Sequence, residues 1–511
     1  INAPLGEGQA LRVTGAVAGE DGFRDETAFH RAHGLIRHTA DRGAFSVDSL
    51  FTYTSSETES ATSIPLPDFE AGLDGGSGLN PQVDPEDAIE EVEYLRLQST
   101  LAYETNTAIG AARFEVTPYL RSQDVESTLT FQPATTPREF ADVDTFGLLP
   151  RAYFDHSDGS TTIIGVDLEF TELDLLLEQS RPSVVVFGDL FVQGTQFDYS
   201  VGFNAYSPYI QHERELLDGL KLTLGLRYDR LRYDFENALD DVPGDARFQV
   251  ADRVDTFDAV SPKVRLLWDV TADHQVFARY ARGFRAPRAS ELYELEAGQA
   301  EFVLDPETAD SGEIGWRAQW FGDRLSTELI GYWQVTRDGV VTDVQTAAGP
   351  ISINAGSSRF AGIETAIRAI LPYGVDAQLA FAWQDFEYRQ FGAEPGSPFD
   401  GNQIEEAPET IGNLTINWVP PFYDRVTVTN RVRHLGQWAL NPANTLFTDN
   451  EFIWSLLGEW RVTDRLAVEF RLENVTDNSF AVFADAPFFA PAGRVRPGQP
   501  RTISGGLKLA F

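Results

Sequence analysis

The chain has 511 residues, with 40 Lys and Arg against 78 Asp and Glu, a formal charge of −38, and it contains neither cysteine nor methionine. The acidic balance argues against nucleic acid as a partner, because phosphate binding draws its affinity from clustered cations. The missing cysteine removes disulfides, thiol catalysis and thiolate metal sites, and the lack of any run of about eighteen apolar residues excludes a membrane helix and an intact signal peptide at Ile1.

From Gln9 onward apolar residues recur at period two, the spacing that sends alternate side chains to opposite faces of a strand. His30 and His33 lie three residues apart and so point to opposite faces, which speaks against a metal site with His38. A tight turn is predicted at Asp41-Arg-Gly. Residues 55–90 follow with nine carboxylates and no Lys or Arg, ending on Asp84-Pro-Glu-Asp87. Calcium takes such oxygen donors, but a solvated loop accounts for them better. Further tight turns are predicted at Asn106-Thr, Asp158-Gly, Asp218-Gly, Thr271-Ala-Asp, Gly322-Asp, Tyr373-Gly, Tyr423-Asp and Thr463-Asp. Between them lie long connections near 123–141, 172–194, 236–254, 285–306, 339–356, 389–406 and 477–499. A soluble sandwich also alternates, but tight turns interleaved with long loops are the outer-membrane pattern, short on the periplasmic side and long outside. The stretch from Gly219 shows the strand chemistry: Leu220, Leu222, Leu224, Leu226 and Tyr228 share one face, and Lys221, Thr223, Arg227 and Asp229 the other. From Arg465 the pattern repeats, with Leu466, Val468, Phe470 and Leu472 opposite Glu469, Arg471 and Glu473.

These segments predict an all-β protein, a transmembrane antiparallel β-barrel of about twenty strands over residues 1–511, from Gln9–Val17 to Thr502–Phe511. A barrel of that size has a lumen its own wall side chains do not fill, so it is a water channel or holds a plug. In the last strand Ile503, Leu507, Leu509 and Phe511 share one face. A terminal Phe so placed resembles the mark by which outer-membrane assembly machinery receives its substrates.

Four motifs stand in order along this pattern. Tyr280-Ala-Arg-Gly-Phe-Arg-Ala-Pro287 is followed by Glu291-Leu-Tyr293; then come Asp305 to Gly315, Asn354-Ala-Gly through Arg359-Phe-Ala-Gly-Ile-Glu364, and Glu473-Asn-Val-Thr-Asp477. Together they resemble the barrel of TonB-dependent outer-membrane receptors of Gram-negative bacteria. The resemblance implies a barrel of twenty-two strands in the family, with a plug and probably a first hairpin expected upstream of Ile1. It also implies energised uptake of a scarce ligand, with the TonB-ExbB-ExbD complex acting through that upstream region and outer-membrane lipid and lipopolysaccharide around the wall. A ferric siderophore or similar metal chelate is the expected cargo; haem, cobalamin or a carbohydrate, and a passive plugless porin, stand as alternatives.

The family's haem importers carry a His on the loop after the Phe-Arg-Ala-Pro motif, and residues 288–304 contain none. A chelate brings its own metal ligands, so Arg and aromatic side chains at the mouth suffice to hold it. Arg285, Arg288 and Tyr293 are the expected substrate-binding residues. No metal site, cofactor or catalytic group is expected, and no Ser, His and acid arrangement supports an enzyme.

Overall fold

The computed structural model describes residues 2–25, 27–59, 63–72, 89–128, 136–186, 189–240, 242, 245, 247–296, 304–346, 349–392, 396–487 and 490–510. Among them 21 strands make one sheet. In chain order these are β1 (Asn2–Gly6), β2 (Gln9–Glu20), β3 (Phe29–Arg42), β4 (Phe45–Glu59), β5 (Ile89–Thr107), β6 (Gly110–Thr128) and β7 (Arg138–His156). Then come β8 (Thr161–Gln179), β9 (Gly194–Leu217), β10 (Leu220–Asn237), β11 (Arg253–Thr271), β12 (His274–Arg285), β13 (Glu307–Trp320) and β14 (Leu325–Thr346). The last seven are β15 (Gly349–Leu371), β16 (Val375–Phe391), β17 (Thr410–Trp418), β18 (Val426–Leu435), β19 (Glu451–Arg461), β20 (Leu466–Glu473) and β21 (Thr502–Leu509). Each pairs antiparallel with the next, an up-and-down meander.

Segments from near the two ends of the chain are in contact. Arg494 and Val495 pair in antiparallel register with Pro65 and Ile64, and Gln499 donates to Glu20 at 3.2 Å. The nine predicted turns all separate consecutive strands, although the one expected at Asn106-Thr falls just after Thr107 because β5 runs to that residue.

The alternation assigns the faces as expected. Leu224 is 45% exposed and Phe470 likewise faces outward, whereas Thr223 is buried on the lumen side with its hydroxyl donating to Glu213 at 3.0 Å. Outward Val260, Val264, Leu266 and Trp268 on β11 and Ile503, Leu507 and Leu509 on β21 continue the lipid-facing band. Near the tight turns, exposed Trp268, Phe321, Tyr373, Trp418, Phe422 and Trp460 form the interfacial aromatic girdle that such barrels carry. Phe511 lies outside the described residues, as does Asp84-Pro-Glu-Asp87.

The wall is uneven in height. β9 has 24 residues and β5 to β8 have 19 each, against the roughly 9 to 11 that cross a bilayer. β17 to β21 have only 8 to 11. Where strands project beyond the lipid, their polarity inverts. On β10, Leu224, Leu226 and Tyr228 face out, but farther up Arg230 and Arg232 face out and Tyr233 and Phe235 turn in. β9 makes the same switch, with Ile210 outward and Phe197, Tyr199 and Val201 buried inward. Above the membrane, water lies outside and packed loops inside, so the apolar face must change sides. The connection expected at 339–356 is mostly strand, because β14 and β15 stay paired up to Thr346 and Gly349. A connection not foreseen, residues 436–450, lies between β18 and β19.

Candidate functional site

Two packed caps build the rim of the barrel, and each forms because inward apolar side chains of the projecting wall need cover. The first gathers Leu175 and Leu177 of β8, Phe197, Tyr199 and Val201 of β9, Phe235 of β10 and Phe257 of β11. They are covered by Leu292 and Tyr293 of the short helix α1 (Ala289–Tyr293) and by Leu295. Pro287, fully buried, sets the chain's entry into α1, where a fixed φ suits the residue just ahead of a helix. Residues Glu294–Glu296 then pair with Arg247–Gln249, locking two outer loops together.

Tyr293 is the keystone of this cap. Its ring stacks on Phe235 with centroids 4.0 Å apart, its hydroxyl donates to Asp255 at 2.9 Å, and it is 1% exposed. Tyr293, expected to meet a ligand, thus has a ring face on Phe235 and its hydroxyl on Asp255, both inside the cap. Sequence reasoning had no signal for this, since Phe235 and Asp255 lie on other strands.

Arg285, at the end of β12, is spent on structure as well. Its guanidinium donates to Glu291 at 2.9 and 3.1 Å and to Glu307 at 2.9 and 3.1 Å. Charge-assisted forked bonds to two carboxylates fix α1 against the strand pair β12 and β13. Glu307 also accepts from the Val340 amide, and Glu291 from the Arg288 amide. Arg288 itself is exposed at the start of α1. Of the three expected residues, Arg288 is exposed, while Arg285 and Tyr293 are engaged within the cap.

Glu294 sits at the base of the cap, accepting from the Tyr199 hydroxyl at 2.8 Å. Burial pushes its carboxyl above the usual Glu range, with the tyrosine hydrogen bond opposing. The second cap joins Trp438 and Leu440 of the unforeseen connection to Ala481, Ala484 and Val495, with Leu66 and Phe69 packed against them. It raises the low side of the wall. Among the described residues no group of three or more His, Cys, Asp or Glu side chains could hold a metal ion. His33 bonds Thr54 instead, at 2.9 Å.

Residues 30–475 match the family described as TonB dependent receptor-like, beta-barrel. A ferric-pyoverdine 358 receptor of Pseudomonas putida is 25% identical over 306 residues, 57% of this chain and 34% of the relative, so the match spans about a third of that protein. Among solved structures, the unliganded ferric citrate transporter FecA superposes with a TM-score of 0.79 at 16% identity, over 100% of this chain and 74% of that one. The siderophore receptor PiuA of Acinetobacter baumannii gives 0.76 at 14% identity, over 99% and 78%. At those identities the likeness speaks for the fold.

Proposed function

The chain belongs to the TonB dependent receptor-like β-barrel family of the Gram-negative outer membrane, and on that premise we propose that it forms the wall of an energised importer of ferric chelates. The match over residues 30–475 carries this reading, and the curated relative named as a ferric-pyoverdine receptor supports it. In such an importer the mouth captures a scarce ligand, and the TonB-ExbB-ExbD complex, acting through a plug, opens a path through the lumen. The chelator fills the coordination sphere of the iron, which is cargo. The protein then needs charge and hydrogen bonds at the mouth, not metal ligands. Arg288 meets the ligand, while Arg285 and Tyr293 hold the cap that presents it.

The test is titration of the full-length receptor with ferric citrate, a ferric pyoverdine, a neutral ferric trihydroxamate and haem. A ferric chelate is expected to bind, and Arg288→Ala to weaken that binding by about 1 to 3 kcal/mol. Tight haem binding unaffected by the substitution would move the cargo out of the chelate class. Failure to bind any chelate, together with steady conductance that needs no energy source, would make the protein a passive pore.

A further inference from the structure

Where the outward face of the wall leaves the lipid, its charge differs from one side of the barrel to the other. On the tall side Glu93 of β5 faces Asp124 of β6, which faces Asp142 of β7, which faces Asp174 of β8, an exposed row of directly opposed carboxylates. Like charges in that arrangement destabilise a sheet and repel any further anion. Farther around, the same outward face carries Arg282 of β12, Arg337 of β14 and Arg359 of β15.

Arg359 is held by two carboxylates, Asp385 at 2.7 Å and Glu387 at 2.9 Å. Arg282 and Arg337 instead share one. Asp310 of β13 accepts from Arg282 at 2.8 and 2.9 Å, from Arg337, and from the Tyr280 hydroxyl at 2.6 Å. The Asp310 side chain is 8% exposed, against 45% and 50% for the two arginines. A buried carboxylate thus holds two exposed guanidiniums, and one positive charge is left over. Among the described residues, Nη1 of Arg282 and Nη2 of Arg337 have protons with no acceptor.

The pair stands at the outer edge of the lipid band. Tyr280, Ile314, Leu329 and Trp333, lower on the same face, are exposed toward lipid. From His274 at the periplasmic end of β12 to Arg282 is about 26 Å along the strand, which a tilt of about 40° turns into about 20 Å of height in a band about 25 Å tall. Below the guanidiniums the wall carries a trough. Gly312 stands between Tyr280 and Trp333 in register, and a Cβ there would meet nothing nearer than the Arg279 carbonyl at 4.0 Å. At Gly331, next to Ile314, it would meet nothing nearer than that side chain at 3.9 Å. The two rings stand two strand spacings apart, about 10 Å at the backbone, which leaves room for one hydrocarbon chain between them.

We propose that Arg282 and Arg337 seat a phosphate of an outer-leaflet lipopolysaccharide, with an acyl chain of the same molecule in the trough between Tyr280 and Trp333. Guanidiniums match phosphate oxygens with paired, charge-assisted hydrogen bonds, and aromatic rings at the edge of the lipid anchor there by their amphipathic character. Asp310 is a positioning residue, since it fixes both guanidiniums without itself meeting the phosphate. A phosphate approaching β5 to β8 meets carboxylates instead, so the glycolipid is bound directly on one side of the barrel. The site lies on the lipid side of the wall, apart from mouth and lumen, and is independent of the cargo.

The experiment uses the full-length receptor, purified from its outer membrane and freed of lipid by detergent exchange, with lipid binding read by native mass spectrometry. The probes are bisphosphorylated lipid A, the same lipid A with its phosphates removed, and inorganic phosphate. Heat-modifiable gel mobility confirms that each variant is folded. The double variant Arg282→Gln with Arg337→Gln is expected to bind phosphorylated lipid A about tenfold more weakly than the parent, and Arg359→Gln to bind it within about twofold. Arg282→Lys, which keeps the charge but not the fork, should fall between them. The parent should lose about tenfold when the phosphates are removed, a comparison that needs no variant, and binding should persist in excess EDTA. Equal affinity of parent and double variant, or of the parent for the two forms of lipid A, would overturn the site. Loss of lipid A from the parent in EDTA would overturn it too, and would assign the contact to divalent cations bridging to the carboxylates of β5 to β8. Displacement of lipid A by an equal concentration of inorganic phosphate would make this a site for the free anion and overturn the lipid assignment.

Discussion

At the scale of single residues, the same side-chain chemistry has opposite effects one position apart, because the wall has lipid on one side and water on the other. Leu224 lies in the middle of the lipid-facing run of β10. A charge at the midplane of a lipid face costs about 2 to 4 kcal/mol. Leu224→Arg is expected to cut the folded fraction in a heat-modifiable mobility assay, whereas Thr223→Arg, on the lumen face between Glu213 and Arg265, is expected to keep a larger folded fraction. Equal assembly of the two variants would reverse the facing of β10. Glu294 gives a prediction of another kind. Burial raises its pKa in the folded cap, so the protonated form is the one the cap favours. The linked stability is fully present below the ordinary Glu pKa of about 4.3 and is lost as pH rises through the elevated folded value. Amide exchange in residues 289–296, corrected for its intrinsic pH dependence, should therefore show more frequent opening at neutral than at acidic pH. Glu294→Gln, which still accepts from Tyr199, should flatten that dependence. A dependence that survives in the variant would assign it to another group.

Among elements, the cap on β8 to β13 shows how a short helix is held where its own length cannot hold it. Five residues are too few for an independent helix, so α1 depends on its own Tyr293 packed against Phe235 and on the Arg285 fork at its side. Arg285→Ala removes four charge-assisted bonds and leaves Glu291 and Glu307 without their shared cation. The cap should then open more readily, by about 1 to 3 kcal/mol in exchange of residues 286–296. Arg288→Ala, by contrast, should leave exchange there unchanged. Equal exchange in parent and Arg285→Ala would show that the apolar packing alone suffices. The strands and turns of this architecture were legible from residues such as Asp158-Gly and Asp218-Gly, because period-two alternation and turn chemistry are local properties. Strand ends were less so. Loops expected from 123 and 172 begin only after Thr128 and Gln179, since the polarity inversion above the lipid breaks the phase of the alternation without ending the strand. Residues 436–450 escaped notice because β18 and β19, at 10 and 11 residues, are so short that a full loop still fits between tight turns 40 residues apart. Of the site, the segment from Phe284 to Tyr293 was legible as a motif, but its division into one presented side chain and two structural ones depends on Phe235, Asp255 and Glu307, whose proximity no local pattern records.

For the whole molecule, an up-and-down sheet with one tall side and one low side needs its rim completed by loops. The second cap does this by joining segments more than four hundred residues apart in sequence. Val495 and Ile64 are register partners there, both buried, with Trp438 and Leu440 packed around them. Such a contact closes a very long loop, whose entropy cost grows only slowly with length, so a modest apolar cluster can hold it once the intervening strands have formed. The sequence offers a clean way to test the closure, because none of the 511 residues is a cysteine. Cα atoms of directly opposed residues in an antiparallel pair stand about 4.5 to 5.5 Å apart, within the span of a disulfide. The pair Ile64→Cys with Val495→Cys is therefore expected to cross-link on mild oxidation of the folded protein in the outer membrane. Non-reducing electrophoresis should show one faster band that reverts with reductant, and each single variant should give none. Phe69→Cys combined with Trp460→Cys, which places one thiol at the rim and the other near the periplasmic turns, serves as the negative control. A cross-link in the control but not in the Ile64 and Val495 pair would mean that the rim is closed by other segments, and that the second cap does not join the two ends of the wall.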